Sequence, residues 1–361
     1  MSENRAEARI SLANIEHNYR LLCRKAGEKR IVMAVVKADA YGHGAVEVCR
    51  RLSDAGATHF AVACMEEAAL LRRSGIRGEL LVLGITPQEL YPAIAEYDVV
   101  QTVSSLAYAS QLADCGPVRV HIKIDTGMHR LGFQPEDVPA ICERLRAQSG
   151  VIARSVFSHL AGSDSYVFDD FTHQQLDKFT KAAGELENGL EYKVIKHILN
   201  SAGIERFAAY QMDMVRLGIG LYGVSASGQK GLRNVSTLKT TILQIQNVPA
   251  GDSIGYSRMS YVKRDSRIAI IPIGYADGLD RHFSNGGGEV LINGQRCPII
   301  GNICMDACMI DVTDIHAQEG DAVIIFGDEL PVSELSDKLK TIPYEILTSI
   351  SPRVKRVYFR E

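Results

Sequence analysis

The sequence predicts an α/β chain in two parts: an N-terminal (β/α)8 barrel and a C-terminal, mainly antiparallel β domain. Three observations carry this. From about Met33 to Tyr222, short β-rich apolar runs alternate with amphipathic stretches, the signature of a parallel sheet. Eight such units follow one another within roughly 200 residues, which suits a closed barrel better than an open sheet. After Tyr222 the pattern changes to β-rich runs with no long helix.

The barrel strands are expected at "VMAVVK", "FAVAC", "LLVLG", "VVQTV", "VRVHIKI", "RSVFSH", "YKVIKHIL" and "MVRLGIGLYG". Between them, "EEAALLRRSG" and "FTHQQLDKFTKAAGELE" carry apolar residues at three- and four-residue spacing, as amphipathic helices do. The Gly/Ser-rich stretch around residues 225–235 marks the boundary. Beyond it lie "STLKTTILQIQNV", "SRIAIIPIGYADG", "GEVLINGQRCPIIG", "CMIDV", "DAVIIFG" and "RVKRVYF". Asn293-Gly294 is a type I′ hairpin signal. The early "ARISL" alternates apolar and polar and fits a strand of either part.

Bulk properties exclude several classes. The 361 residues carry a net charge of −3 with acids and bases interspersed, so no basic footprint for nucleic acid exists. No apolar run reaches the roughly 18–20 residues that span a bilayer. The N-terminus lacks the basic and apolar regions of a signal peptide. Eight scattered cysteines then read as reduced thiols in a cytoplasm. Cys304 and Cys308 lack a second ligand pair, so no metal is expected.

In "VMAVVKADAYGHG" an apolar strand ends in Lys37. The C-terminal end of a barrel strand is where barrel enzymes build their sites. A partly desolvated lysine there loses its proton near neutral pH and serves as a Schiff-base nucleophile. The plain alternative is a lysine snorkelling into water. Tyr41 and His43 are expected within one turn of the same rim.

"AVVKADAYGHG" resembles the pyridoxal-phosphate lysine motif of the alanine racemases. "KIDTGMHRLGF", "FSHLAGSD", "ILNSAGIER", "DMVRLGIGLYG", "IPIGYADG" and "GNICMDACMIDV" also match, in the family's order and over nearly the full length. The resemblance implies the same two-part architecture. It places residues 1–10 as a strand of the β domain (232–361), beside a barrel of 11–231.

It also implies the chemistry. Removing an amino acid's α-proton needs an electron sink, pyridoxal 5′-phosphate, and inverting the centre needs an acid/base group on each face. Lys37 would carry the cofactor and serve one face. Tyr256 in "SIGYSRMSY" would serve the other from the partner subunit of a head-to-tail homodimer. A tyrosine of ordinary pKa, about 10, is a poor base at neutral pH. The resemblance therefore supplies a relay through His159, Arg216 and His197; either histidine alone also reads as a satisfied strand residue. Arg216 would face the pyridine nitrogen and leave it unprotonated, because a guanidinium does not give up its proton. That weakened sink favours reprotonation over side reactions. Tyr41, Ser201 and the backbone N–H groups of Gly218 and Ile219 would hold the phosphate. Arg130 and the Met305 N–H would hold the substrate carboxylate, with Cys304 and Asp306 flanking in support. Lys123 matches a lysine carbamylated in some members, and Tyr275 lines the substrate entry. Asp125-Thr126-Gly127 also reads as a simple strand-to-loop turn.

The sequence departs from well-known members at two gate positions. Pro352 stands in place of a phosphate-contacting tyrosine, and Asn302 in place of an arginine. Both bear on substrate size.

Two motifs mislead. "GIGLYG" (218–223) matches G-x-G-x-x-G, yet no helix and no acid at the needed distance follow it. "GDSIG" (251–255) matches the nucleophile elbow but lacks the strand-turn-helix context. The expected function is the interconversion of L- and D-alanine for peptidoglycan. The alternatives are a racemase preferring serine or a larger amino acid, a noncatalytic cofactor-binding barrel, and a decarboxylase on a similar frame. Whether the chain is part of a longer natural fusion stays open.

Overall fold

Short runs rich in Val, Ile and Leu, bounded by turn residues, become strands buried on both faces. In the computed structural model, which describes residues 5–27, 29–148, 150–225 and 227–360, eight of them form one parallel sheet. In chain order they are Ile31–Val35, His59–Val62, Glu79–Val82, Val100–Val103, Val118–Lys123, Val151–Phe157, Ile195–His197 and Met214–Leu217. Neighbours pair in sequence order, and the last strand returns to pair with the first. The seventh and eighth strands meet through single bonds, among them Arg216 N–H to Leu199 O at 2.9 Å, so the barrel is nearly closed. All eight predicted strands are present, with ends shifted by a few residues.

Helices fill the connections. Asp169–Leu190 buries Thr172, Leu176, Phe179, Ala183, Leu186 and Leu190, a stripe at three- and four-residue spacing. Asp169 and Asp170 favour its positive N-terminal end, and Glu191 at φ 62° closes it.

By contacts the chain divides into two units. One holds residues 15–40 and 44–233. The other holds the chain up to Asn14, the insert Tyr41–His43, and everything from Asn234 on. This second unit carries a nine-stranded sheet. Ala6–Ser11 lies within it, antiparallel to Ser236–Thr241 and parallel to Lys355–Phe359. The hairpin Glu289–Ile292/Gln295–Ile300 turns on Asn293 and Gly294, at φ 50° and 74°, as a type I′ turn requires. Two short helices that the β-rich pattern hid, Val332–Leu339 and Pro343–Ser349, complete it.

His43 departs from the sequence expectation. It is buried and belongs to the second unit, with Nε2 3.1 Å from Ser236 Oγ. Tyr41 lies in the same insert, its ring 5.7 Å from that of Tyr344.

Candidate active site

The first barrel strand ends at Val35, and Lys37 opens a turn of unusual hand. Ala38, Asp39, Ala40 and Tyr41 all lie at φ 52–54°, followed by Gly42 at 81°. Left-handed conformation costs a non-glycine residue roughly 1–2 kcal/mol. Side chains and strand ends hold the turn in place. Glu67 Oε1 accepts from Ala38 N–H at 2.7 Å, Asp39 Oδ1 accepts from Ala45 N–H at 2.7 Å, and Ala40 N–H reaches Val36 O at 2.8 Å. Gly42 is obligatory, since a Cβ there would sit 2.4 Å from Leu347 O. Strain of this kind gathers where a side chain must be aimed.

Lys37 stands in the field of Arg130, partly offset by Glu67. Burial, then the Arg130 charge, lowers its pKa below the usual lysine value. Burial, Arg130 and Arg216 lower Lys123 further, to about 8. His159 is pushed well below the usual imidazole value by burial, Arg216, Arg130 and both lysines. These groups therefore converge on one rim of the barrel, and their mutual repulsion makes a focus of positive potential.

Arg216 is buried on the last barrel strand, and both of its terminal nitrogens are engaged. Its Nη1 donates to His197 Nδ1 at 2.6 Å; its Nη2 donates to Ser158 O at 2.6 Å and Ile198 O at 3.0 Å. His159 Nδ1 lies 3.3 Å from Nη2. Burial and the Arg130 charge press its pKa down to about 9, still far enough above neutrality to keep it charged.

From Arg216 a polar string runs through the barrel, and beyond His197 it was absent from the sequence reading. His197 Nε2 is 3.2 Å from His121 Nδ1. His121 Nε2 is 3.5 Å from Glu79 Oε1, and His59 Nε2 lies 3.8 Å from the same oxygen. An arginine only donates, so His197 Nδ1 must accept and its Nε2 must carry the proton. His121 Nδ1 then accepts in turn, and its Nε2–H points at the carboxylate. Burial keeps both imidazoles neutral, with pKa values below the ordinary one. Histidine at 121 in "VRVHIKI" and Glu79 beginning a strand were the available signals, but partners in separate strands are invisible without the fold.

Ser201 opens the helix Ser201–Arg206, capped by Asn200 Oδ1, which accepts from Gly203 N–H at 2.9 Å. Its Oγ accepts from Gly218 N–H at 3.0 Å and Gly220 N–H at 3.3 Å. The Gly218 N–H thus meets Ser201 Oγ, and that oxygen, already accepting, keeps its hydroxyl proton as a donor. The neighbouring 3-10 turn Ile219–Tyr222 starts at the same place. Asp125 Oδ1 accepts from Gly127 N–H and His129 N–H, so "DTG" is a side-chain-closed turn, and Arg130 follows it, exposed.

In the other unit "GYADG" and "CMDAC" pack together because Gly274 has no side chain. A Cβ would lie 2.3 Å from Cys304 O and 2.4 Å from Met305 O. Tyr275 N–H donates to Cys304 O at 3.1 Å and Ala276 N–H to Met305 O at 3.1 Å. Arg353, beside Pro352 and unnoticed in the sequence, bridges Asp306 at 2.6 Å and Asp277 at 3.5 Å. Tyr256 projects from a tight hairpin, 69% exposed.

A lysine on a strained turn, a guanidinium fixed beside imidazoles and a helix start bearing a hydroxyl belong to a protein of the barrel-plus-β-domain class. The comparisons agree. The profile of the alanine racemase N-terminal domain matches residues 10–226, and that of the C-terminal domain matches 235–358. An alanine racemase of Caldanaerobacter subterraneus subsp. tengcongensis is 40% identical over 97% of this chain and 93% of its own. The alanine racemase structure from Clostridium difficile superposes with a TM-score of 0.92 at 35% identity, covering 98% of this chain and 96% of that one. The Bartonella henselae enzyme, solved with covalently bound pyridoxal phosphate, gives 0.90 at 31%, covering 98% and 99%. The chain belongs to the alanine racemase family.

Proposed function

We propose that the chain interconverts L- and D-alanine with pyridoxal 5′-phosphate held on Lys37. Lys37 and Tyr256 of the partner subunit would exchange the α-proton on opposite faces, in a cytoplasmic head-to-tail homodimer supplying D-alanine for peptidoglycan. The single observation that carries this reading is the convergence of Lys37, Lys123, Arg130 and Arg216 on one rim, with both lysine pKa values lowered.

The donor set fits the cofactor. An anionic phosphate suits the paired helix starts at Ser201 and Ile219, with the Ser201 hydroxyl free to donate and Tyr41 as a further donor. The cofactor, when bound, draws electron density from the α-carbon and so acidifies its proton. The remaining work falls to the chain. A desolvated Lys37 is neutral more readily than an ordinary lysine, so its Nζ can both bond covalently and take a proton. Arg216, locked by carbonyls and His197, presents a donor that keeps its proton. His159 stays neutral beside it and can pass a proton to or from a phenol. Arg130 and the Met305 N–H would bind the substrate carboxylate, with Cys304, Asp306 and Tyr275 shaping the approach. A lysine with a pKa near 8 has the neutral amine that carbamylation of Lys123 needs.

The exposed cluster of Tyr256, Met259 and Tyr261, 69%, 66% and 54% accessible, supports a second chain covering this hairpin. Borohydride reduction followed by peptide mapping tests the centre of the proposal. The cofactor should be fixed on Lys37 alone, and attachment at any other lysine defeats it.

A further inference from the structure

The hairpin that carries Tyr256 is short and strained. Ser253–Ile254 pairs with Ser260–Tyr261, and between them Gly255, Ser257 and Arg258 lie at φ 72°, 63° and 51°. Two of these are not glycine, so the turn does not hold this shape by itself. An exposed phenol on such a turn would wander unless something fixed its backbone.

The fixing contact is a chain of neutral hydrogen bonds. Gly301 N–H donates to Ser260 Oγ at 3.2 Å. The Ser260 hydroxyl donates to Asn285 Oδ1 at 2.6 Å, and Asn285 Nδ2 donates to Asn302 Oδ1 at 3.0 Å. Asn302 Nδ2 donates to the Tyr256 carbonyl at 2.9 Å. One end of this chain is an N–H that can only donate; the other is a carbonyl that can only accept. The two ends permit one orientation of both amides, so every link depends on the next. Asn302 is 7% exposed, so its amide is held away from water and depends on these two partners.

We propose that Asn302 is a positioning residue for Tyr256, holding its carbonyl at the end of the Gly301–Ser260–Asn285–Asn302 chain and so aiming the phenol. The proposal rests on the reading that Tyr256 exchanges the α-proton of L-alanine. It gives the asparagine at this gate position a task that does not involve meeting the substrate.

The test is Asn302→Asp, which keeps shape and the bond from Asn285 but replaces the donor facing the Tyr256 carbonyl with an acceptor. Turnover should fall roughly 10- to 100-fold, the scale expected for misplacing a reacting group by about an ångström. Turnover alone would also fall in a merely loosened fold, so the deciding readout is directional. The isotope effect with α-deuterated L-alanine should rise, because the Tyr256 step becomes slower. The effect with α-deuterated D-alanine should shrink, because the Lys37 step limits less. In a Tyr256→Phe background, Asn302→Asp should change turnover less than about twofold, since coupled residues are non-additive. Isotope effects that stay put or move together overturn the proposal, as does an undiminished loss in the Tyr256→Phe background. Should Asn302→Asp fail to fold, Ser260→Ala cuts the chain at its outer links and must move the two isotope effects in the same opposed senses. If Tyr256→Phe by itself leaves exchange of the L-alanine α-proton at the wild-type rate, the underlying reading fails too, and that variant alone reveals it.

Discussion

The barrel rim and the Tyr256 hairpin fix their working side chains by opposite means. On the rim, Arg216 is buried, charged and bonded to carbonyls and imidazoles; its neighbours Lys37 and Lys123 are held in one another's field. On the hairpin, Tyr256 is 69% exposed and secured through its backbone by uncharged amides and a hydroxyl. A desolvated cation cluster carries its chemistry within its own unit. An exposed phenol on a strained turn is presented outward, and its use depends on what meets it. On the proposed reading, the rim works within its own chain and the hairpin serves a partner.

The largest effect that could break this comparison is at Lys37. Lys37→Ala should abolish racemisation, with a residual rate at least 1,000-fold below wild type on the scale for losing a covalent nucleophile. Tyr256→Ala should be nearly as severe. Mixed together, the two inactive proteins test whether the hairpin serves another chain. In a mixed dimer one site inherits both lesions and the other neither. Random exchange makes about half the dimers mixed, so about a quarter of wild-type activity should return by two-fold symmetry. Exchange of subunits without recovered activity would mean that Tyr256 works within its own chain.

How much of this was legible in the sequence follows the range of the interactions. Strand and helix periodicity is local, so the eight barrel strands and the Asp169–Leu190 helix were readable within a few residues. The Asn293-Gly294 turn was legible because its backbone demand is met by only a few residue types. The left-handed turn after Lys37 was not, since Ala38 and Ala40 carry no sign of positive φ and Gly42 alone hints at it. The extension of the string from His197 to His121 and Glu79, and the Arg353 bridge, join segments far apart in the chain, and no local pattern marks them. His43 was misplaced for the related reason that three residues, Tyr41–His43, leave the barrel unit for the other.

A smaller effect sharpens the account of the rim. If the polar string fixes Arg216 from below, its far end should matter without touching substrate. Glu79→Ala removes the carboxylate that His121 Nε2 faces at 3.5 Å, a loose contact whose loss should cost about 1 kcal/mol. Melting temperature should fall by a few degrees, and nitrogen NMR of the histidine rings should show His197 losing its single tautomer. In wild type, Nδ1 of both His197 and His121 should be unprotonated. A protonated Nδ1 on His197 would refute the donor-to-acceptor order read from Arg216.

The smallest expected effect concerns Lys123 and pH. Its pKa in the folded protein is lowered from 10.5 to about 8, chiefly by burial and then by Arg130. A lysine so lowered holds its proton less well folded than unfolded. Between about pH 8 and 10.5 the unfolded chain binds more protons, so stability rises with pH across that window. Below about 8 both states are protonated, and the cost of the buried charge is present in full. Lys123→Met deletes the charge while keeping the bulk. In cofactor-free protein it should melt a few degrees above wild type at pH 7, with the gap closing as pH approaches 10. Arg130→Gln should narrow the pH 7 gap, because the second cause of the lowered pKa has been removed. Added bicarbonate should raise the wild-type melting temperature and leave Lys123→Met unchanged, since only a neutral amine at this position can take up carbon dioxide and become an anion beside Arg130. A gap that does not vary with pH would mean that Lys123 is not strained by its charge, and that the rim is less electropositive than its arrangement of cations implies.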